Sequence, residues 1–279
     1  MTKLYVIDSE QKKGPFSFLK VYRSARRAGA SREIAQRIAS QIKTEAFPGI
    51  TTNQIFKRVR QLLSKEEPKS ALKFSLKESI RKLGPTGFPF ERYIGEIFLG
   101  MGYKVKLNQQ VPGFCCQFYE IDFLAQKGNL VYIGECKFRH LAGGKVHSDV
   151  ALSNYARFLD IKKGSYLNEL KGKRLKSILV TNTKFTAKAI DYSRCVGVEL
   201  LGWNYPKNKG LEYLVEIHHL YPITILPSWR NAWSDVFSQR KMMLAQDILR
   251  IDSAKFAKKT KIPQNKIERL KQEAKILLL

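Results

Sequence analysis

No run of the 279 residues is apolar for long enough to span a bilayer. The N-terminus also lacks the apolar core of a secretory signal, which points to the cytoplasm. Cysteine is scarce: Cys115, Cys116, Cys136 and Cys195 form no CxxC pair and no zinc spacing. They read as free, buried thiols. Four histidines add nothing to a metal case. No Walker A phosphate loop is present. Acidic residues are also few, with 24 Asp and Glu against 50 Lys and Arg, a net charge of +26. Hydrophobic content is an ordinary 44%. A folded chain this basic predicts a polyanionic partner, nucleic acid before an anionic membrane.

The charge has no single seat. Residues 1–66, 67–225 and 226–279 carry +9, +10 and +7, so more than one segment is expected to touch the polyanion. The same three spans are the predicted domains. Residues 3–7 read as a strand, followed by helices over 18–27, from Ser31 as N-cap to about Glu45, and over 53–64 with Thr52 as cap. Gly84-Pro85-Thr86-Gly87 is a loop. The pattern then alternates. A helix over 90–100 carries apolar residues at helical spacing, and strands follow at 103–107, 121–126 and 130–138. Lys127-Gly128-Asn129 turns the last two into a hairpin. A helix at 150–161, a strand at 177–182, a helix from N-cap Thr186 and a strand at 199–203 complete an α/β layout. It predicts a central mixed sheet flanked by helices. From about Leu226 the pattern is helical, with Lys261-Ile262-Pro263 joining two helices.

Three charged residues interrupt apolar strands. Glu135 and Lys137 are two apart on Leu130–Phe138 and so share a face. Asp122 stands between Ile121 and Phe123, and the hairpin brings it beside Glu135. Such charges are costly in a buried strand unless paired or bound to metal. Two carboxylates suit a hard divalent cation, and a nearby lysine can offset phosphate charge or position a water. Glu91 lies on the inward face of its helix and is a fourth candidate. Past the site, Lys145 sits in a glycine-bearing basic loop that either contacts phosphate or simply connects. Asn154 and Arg157 either line a nucleic-acid groove or face solvent.

Phe90-Glu91-Arg92, Gly102-Tyr103, Ile121-Asp122 and Glu135-Cys136-Lys137 together resemble the PD-(D/E)XK, restriction-endonuclease-like superfamily. The nearest branches are the Mrr-like and Holliday-junction-resolvase ones. The resemblance implies a metal-dependent DNA endonuclease acting on double-stranded or branched DNA. It implies Asp122 and Glu135 as ligands of Mg²⁺ or Mn²⁺, Lys137 as the catalytic lysine and Glu91 as the helix glutamate. It further implies Asn154 and Arg157 as DNA contacts, beside Lys145 of the basic loop. A homodimer is expected, because cutting both strands calls for two sites. Residues 1–66 resemble the ATP-cone, a nucleotide-binding regulatory domain, through Phe16-Ser17-Phe18-Leu19-Lys20-Val21. That resemblance implies ATP or dATP as effector and Lys20 facing phosphate. The competing reading is a nucleotide-sensing DNA-binding regulator that keeps a nuclease fold without cutting. Residues 226–279 resemble a small helix-hairpin-helix domain.

Overall fold

The computed structural model describes residues 4–84, 88–141, 143–166, 170 and 172–279. Most of the loop expected at Gly84-Pro85-Thr86-Gly87 lies outside them, as does Lys3 of the first expected strand. The backbone forms two compact units. One runs to Ser79 and adds Ile225–Trp229 and Ile248–Leu279; the other comprises Ile80–Thr224 and Arg230–Asp247.

In the first unit, β1 (Tyr5–Ile7) pairs antiparallel with β2 (Lys13–Pro15). Helices α1 (Phe18–Arg27) and α2 (Arg32–Glu45) follow, and β3 (Ile50–Thr51) returns parallel to β1. Then come α3 (Thr52–Glu66), α4 (Pro68–Phe74) and α5 (Leu76–Arg81). The N-caps behave as hydroxyl side chains should. Ser17 accepts from the Lys20 amide and Ser31 from the Ile34 amide. For α3 the cap is Thr51, one residue before the expected Thr52. Gln54 explains the shift, since its side chain reaches back to the Thr51 amide at 2.9 Å and closes a capping box. Buried Ala25, Ala35 and Ala39 let α1 and α2 approach closely, and Ile38, Ile42, Val59 and Leu63 fill the core.

The second unit is built on a mixed five-stranded sheet. Helix α6 (Phe88–Gly100) leads into an antiparallel meander of β4 (Lys104–Val111), β5 (Tyr119–Lys127) and β6 (Leu130–Lys137). After β7 (Lys145–Val146), helix α7 (Ser148–Lys163) crosses to β8 (Arg174–Thr181), parallel to β6. Then β9 (Lys184–Phe185) and α8 (Ala187–Val196) lead to β10 (Glu199–Leu201), parallel to β8. The order is β10-β8-β6-β5-β4, so β6 lies at the centre. That position accounts for its near-continuous apolar sequence. Phe98 of α6 packs tilted against Phe123 and edge-on to Tyr132, and Phe158 and Ile161 of α7 pack with Leu124 and Ile133. Thr186 caps α8, as its sequence predicts. Two short helices, α9 (Leu211–Ile217) and α10 (Ser234–Gln239), complete this unit.

The C-terminal helices α11 (Ser253–Thr260) and α12 (Gln264–Leu278) return to the first unit, where α12 packs against α4. Residues 226–279 therefore divide between the two units, where the helical pattern had suggested one separate segment. The stripe Ile267, Leu270, Ala274 and Leu277 is fully buried within the chain. At the turn between them Lys261 adopts the left-handed conformation in place of a glycine. Three of the four cysteines, Cys115, Cys116 and Cys195, are exposed; only Cys136 is the buried thiol expected. Among the described residues no helix is long and apolar enough to cross a membrane.

Candidate active site

The β5–β6 hairpin turns through Gly128, which takes a positive φ, and its register places Phe123 opposite Gly134. Gly134 is required by space. A Cβ there would stand 2.2 Å from two carbons of the Phe123 ring. One residue further along, the Asp122 carboxylate accepts the Cys136 amide at 2.6 Å. A side chain thus takes the amide at the point where β5 and β6 part.

Glu135 is the most deeply buried carboxylate of the site, 5% exposed. Both its oxygens carry a cation. The Lys137 ammonium lies 2.5 Å from Oε1, and the Arg157 guanidinium lies 2.6 Å from Oε2. Arg157 also donates to the Glu120 carbonyl at 3.3 Å. The end of β6 is fixed from its other side. Thr181 Oγ1 donates to the Lys137 carbonyl at 2.6 Å, and Asn182 pairs with both the amide and the carbonyl of Arg139, at 2.8 and 2.9 Å. Asn182 thereby extends the ladder by one side-chain rung.

Glu91 enters from the first turn of α6. Its neighbours hold that helix in place: Arg92 donates to the Ser238 carbonyl at 2.9 Å and Tyr93 to the Leu220 carbonyl at 2.8 Å. Glu91 is half-buried and its carboxyl is pushed up to about 7, by burial first and then by Asp122, Glu135 and Glu120. Asp122 is pushed up to about 6, by burial and then by Glu135, against the pull of the Cys136 amide, Lys137 and Arg157. Burial and the same carboxylates also push the Cys136 thiol up.

These shifts have a consequence for stability. A carboxyl raised in the folded chain favours the fold below its unfolded value and loses that advantage as pH rises through the folded value. For Asp122 the window runs from about 4 to about 6, and for Glu91 from about 4.5 to about 7. Without divalent ions, Asp122→Asn should therefore unfold with wild type at pH 4 and outlast it at pH 8, by on the order of 2 kcal/mol. Thermal melts in EDTA at both pH values check this; a variant equally unstable at pH 8 would refute it.

The structure brings Asp122, Glu135 and Lys137 together, as their strand spacing predicts, and sets Glu91 of α6 close enough to interact with all three. Arg157 joins them, with its guanidinium on Glu135. Asn154 is not a surface contact: it is buried and donates to Ser177 Oγ at 2.8 Å. Lys145 is exposed on β7, in register with exposed Lys184 of β9. Lys20 lies in the first unit, exposed at the edge of a cavity of about 370 Å³. Thr181 and Asn182 close the strand expected at 177–182, and the sequence carries no signal of their grip on β6. Among the described residues no group of three or more His, Cys, Asp or Glu is placed to hold a metal by itself. Asp122 and Glu135 nevertheless offer hard oxygen donors, and the Glu135 charge helps to push the Asp122 carboxyl up, the chemistry a divalent cation relieves.

Comparison with known proteins gives three likenesses. The family described as AF1548-like, C-terminal, matches residues 221–278. An uncharacterized protein of Archaeoglobus fulgidus is 39% identical over 127 residues, covering 45% of this chain and 66% of that protein. The chain thus spans just under two thirds of that relative's length. A crystal structure described as AF1548, a protein of unknown function, matches with a TM-score of 0.58 and 30% identity, over 68% of this chain and 97% of the other. None of these descriptions names an activity, ligand or partner.

Proposed function

For a chain that belongs to the AF1548-like family, we propose a divalent-metal-dependent endodeoxyribonuclease with a restriction-endonuclease-like, PD-(D/E)XK catalytic fold. The observation that carries the reading is the meeting of Asp122, Glu135, Lys137 and Glu91 at the parting ends of β5 and β6. The mixed order β10-β8-β6-β5-β4, with its helices, supports it. So does the net charge of +26, which suits a polyanionic substrate.

Asp122 and Glu135 would hold Mg²⁺ or Mn²⁺. When bound, such an ion supplies a nucleophilic water near neutral pH and stabilises charge on the phosphoryl oxygens. The protein's own groups have separable tasks. Lys137, held by Glu135, positions the attacking water and offsets phosphate charge. Arg157 neutralises the second Glu135 oxygen and fixes its rotamer. Glu91, partly protonated near neutrality, can hold or move a proton beside Asp122. Lys145 and Lys184 offer exposed charge to a phosphate backbone. A homodimer would bring two sites to the two strands. The test is cleavage of supercoiled plasmid and of a four-way junction, with and without Mg²⁺. Intact DNA under every condition would leave the non-catalytic DNA-binding reading.

The cavity of the first unit favours nucleotide control in addition. Lys12, Lys13 and Lys20 border it, while Phe16, Ile55, Phe56 and Val59 supply apolar walls. Cationic rim and aromatic wall suit the phosphates and base of ATP or dATP. Nucleotide at about 100-fold its Kd should stabilise the chain by about 2.7 kcal/mol. Thermal melts with millimolar ATP and dATP should show this upshift, and Lys20→Ala should abolish it. No upshift in wild type would remove nucleotide from the account.

A further inference from the structure

Between β4 and β5 the chain forms a tip whose residues 114–118, Phe-Cys-Cys-Gln-Phe, are all exposed. Phe114 is 69% and Phe118 56% exposed. Two aromatic rings held in water need a reason, and this tip is tightly built. The Phe114 amide donates to the Asp160 carbonyl at 3.1 Å. The Cys115 amide donates to both carboxylate oxygens of Asp160, at 2.9 and 3.1 Å, and the Cys116 amide to Oδ2 at 3.2 Å. Burial pushes the Asp160 carboxyl up, but those amides, the Cys115 thiol and the Tyr119 hydroxyl outweigh it and hold it at about 2. The clamp is therefore fully charged at neutral pH. Gly164, just past α7, lies against the Gly113 backbone, which its Cβ would meet at 2.7 Å.

The clamp also connects to the candidate active site. Asp160 and Arg157 lie three apart on α7, so they share a helix face. One holds the tip and the other holds Glu135. Phe118 precedes Asp122 by four residues, at most about 14 Å of extended chain. The clamp thus holds the backbone of the tip, and Phe118 stays within that reach of Asp122.

Resting on the nuclease reading, we propose that Phe114 and Phe118 form a rigid wedge that stacks on an unpaired or unstacked DNA base beside the cleavage site. The substrate class would then be DNA with a local distortion, such as a bulge, fork or junction, in preference to perfect duplex. An aromatic face stacks on any base without reading its sequence. An unpaired base is cheaper to engage, because it has less stacking to lose.

The experiment measures binding, in EDTA, of an end-labelled duplex with one unpaired adenine against the fully paired duplex. The readout is the ratio of the two Kd values, taken by fluorescence anisotropy. Wild type should prefer the bulged duplex, and F114A/F118A should reduce that preference about ten-fold. F114W/F118W should keep the preference, while F114L/F118L, apolar but without an aromatic face, should lose it. Circular dichroism confirms that each variant is folded. Three results would overturn the wedge: no preference in wild type, an unchanged ratio in F114A/F118A, or full retention by F114L/F118L. A wild-type dimer that F114A/F118A converts to monomer, with the ratio unchanged, assigns the rings to a second copy of the chain and also overturns it. The nuclease reading fails separately. A chain that never cuts with Mg²⁺ but shows the expected ratios keeps the wedge and loses the catalytic assignment.

Discussion

Asp122→Asn protein should bind DNA about as well as wild type and cut it about 10³-fold more slowly, or not measurably. The amide is isosteric with the carboxyl, and its oxygen can still accept the Cys136 amide, so the local backbone survives. One of the two negative oxygen donors is lost, and with it the charge that would hold a divalent ion. Lys137→Ala should cost a similar factor by another route. Arg157 stays on Glu135, so the carboxylate remains paired, but no ammonium is left to position water. Lys137→Arg should not rescue, because a planar guanidinium presents its donors differently and does not release a proton. The measurement is the single-turnover rate on plasmid in Mg²⁺, beside binding in EDTA. Wild-type rates in both Asp122→Asn and Lys137→Ala would refute the catalytic assignment, and weakened binding alone would recast these residues as DNA contacts.

The second large effect concerns a residue without a side chain. Gly134→Ala should lower the stability of the chain by about 3 kcal/mol, read as a fall in the urea midpoint. The added methyl lies 2.2 Å from Phe123 Cε1 and Cζ, so one of the two must move. Phe123 has no room to do so: it is fully buried and its ring lies 4.9 Å from that of Phe98. The displaced element would be β6 itself, one residue before Glu135, so cleavage should fall as well. Adding Phe123→Leu to Gly134→Ala should recover part of the stability. That coupling identifies the ring contact as the cause. A single variant within about 0.5 kcal/mol of wild type would show that the strand pair relaxes freely.

Strand period made the centre of the site legible. Residues two apart share a face, so Glu135 and Lys137 had to lie together, and the short turn at Lys127-Gly128-Asn129 had to return Asp122 beside them. Helix phase was harder to read. Asn154 and Arg157 sit three apart on α7, and apolar and polar residues alternate around that helix without a clear stripe. Letters alone do not tell that Asn154 faces Ser177 in the core while Arg157 reaches Glu135. The roles of Asn182 and Thr181 depend on which strand lies beside β6, and local spacing carries no such information. The same holds for Ile267, Leu270, Ala274 and Leu277. Their helical stripe predicts that something covers it, and only the tertiary fold names α4.

Because the first unit draws on residues near both ends of the sequence, it cannot be completed early in synthesis. While α1 to α4 emerge from the ribosome, the apolar stripe of α12 that will pack on α4 is still about 200 residues from being made. The sheet around β6, with more local connections, can be finished first. A shortened chain ending near residue 247 should therefore be a poorer substitute for the whole than its intact central sheet suggests. Its N-terminal helices would expose apolar surface and invite chaperones or proteases.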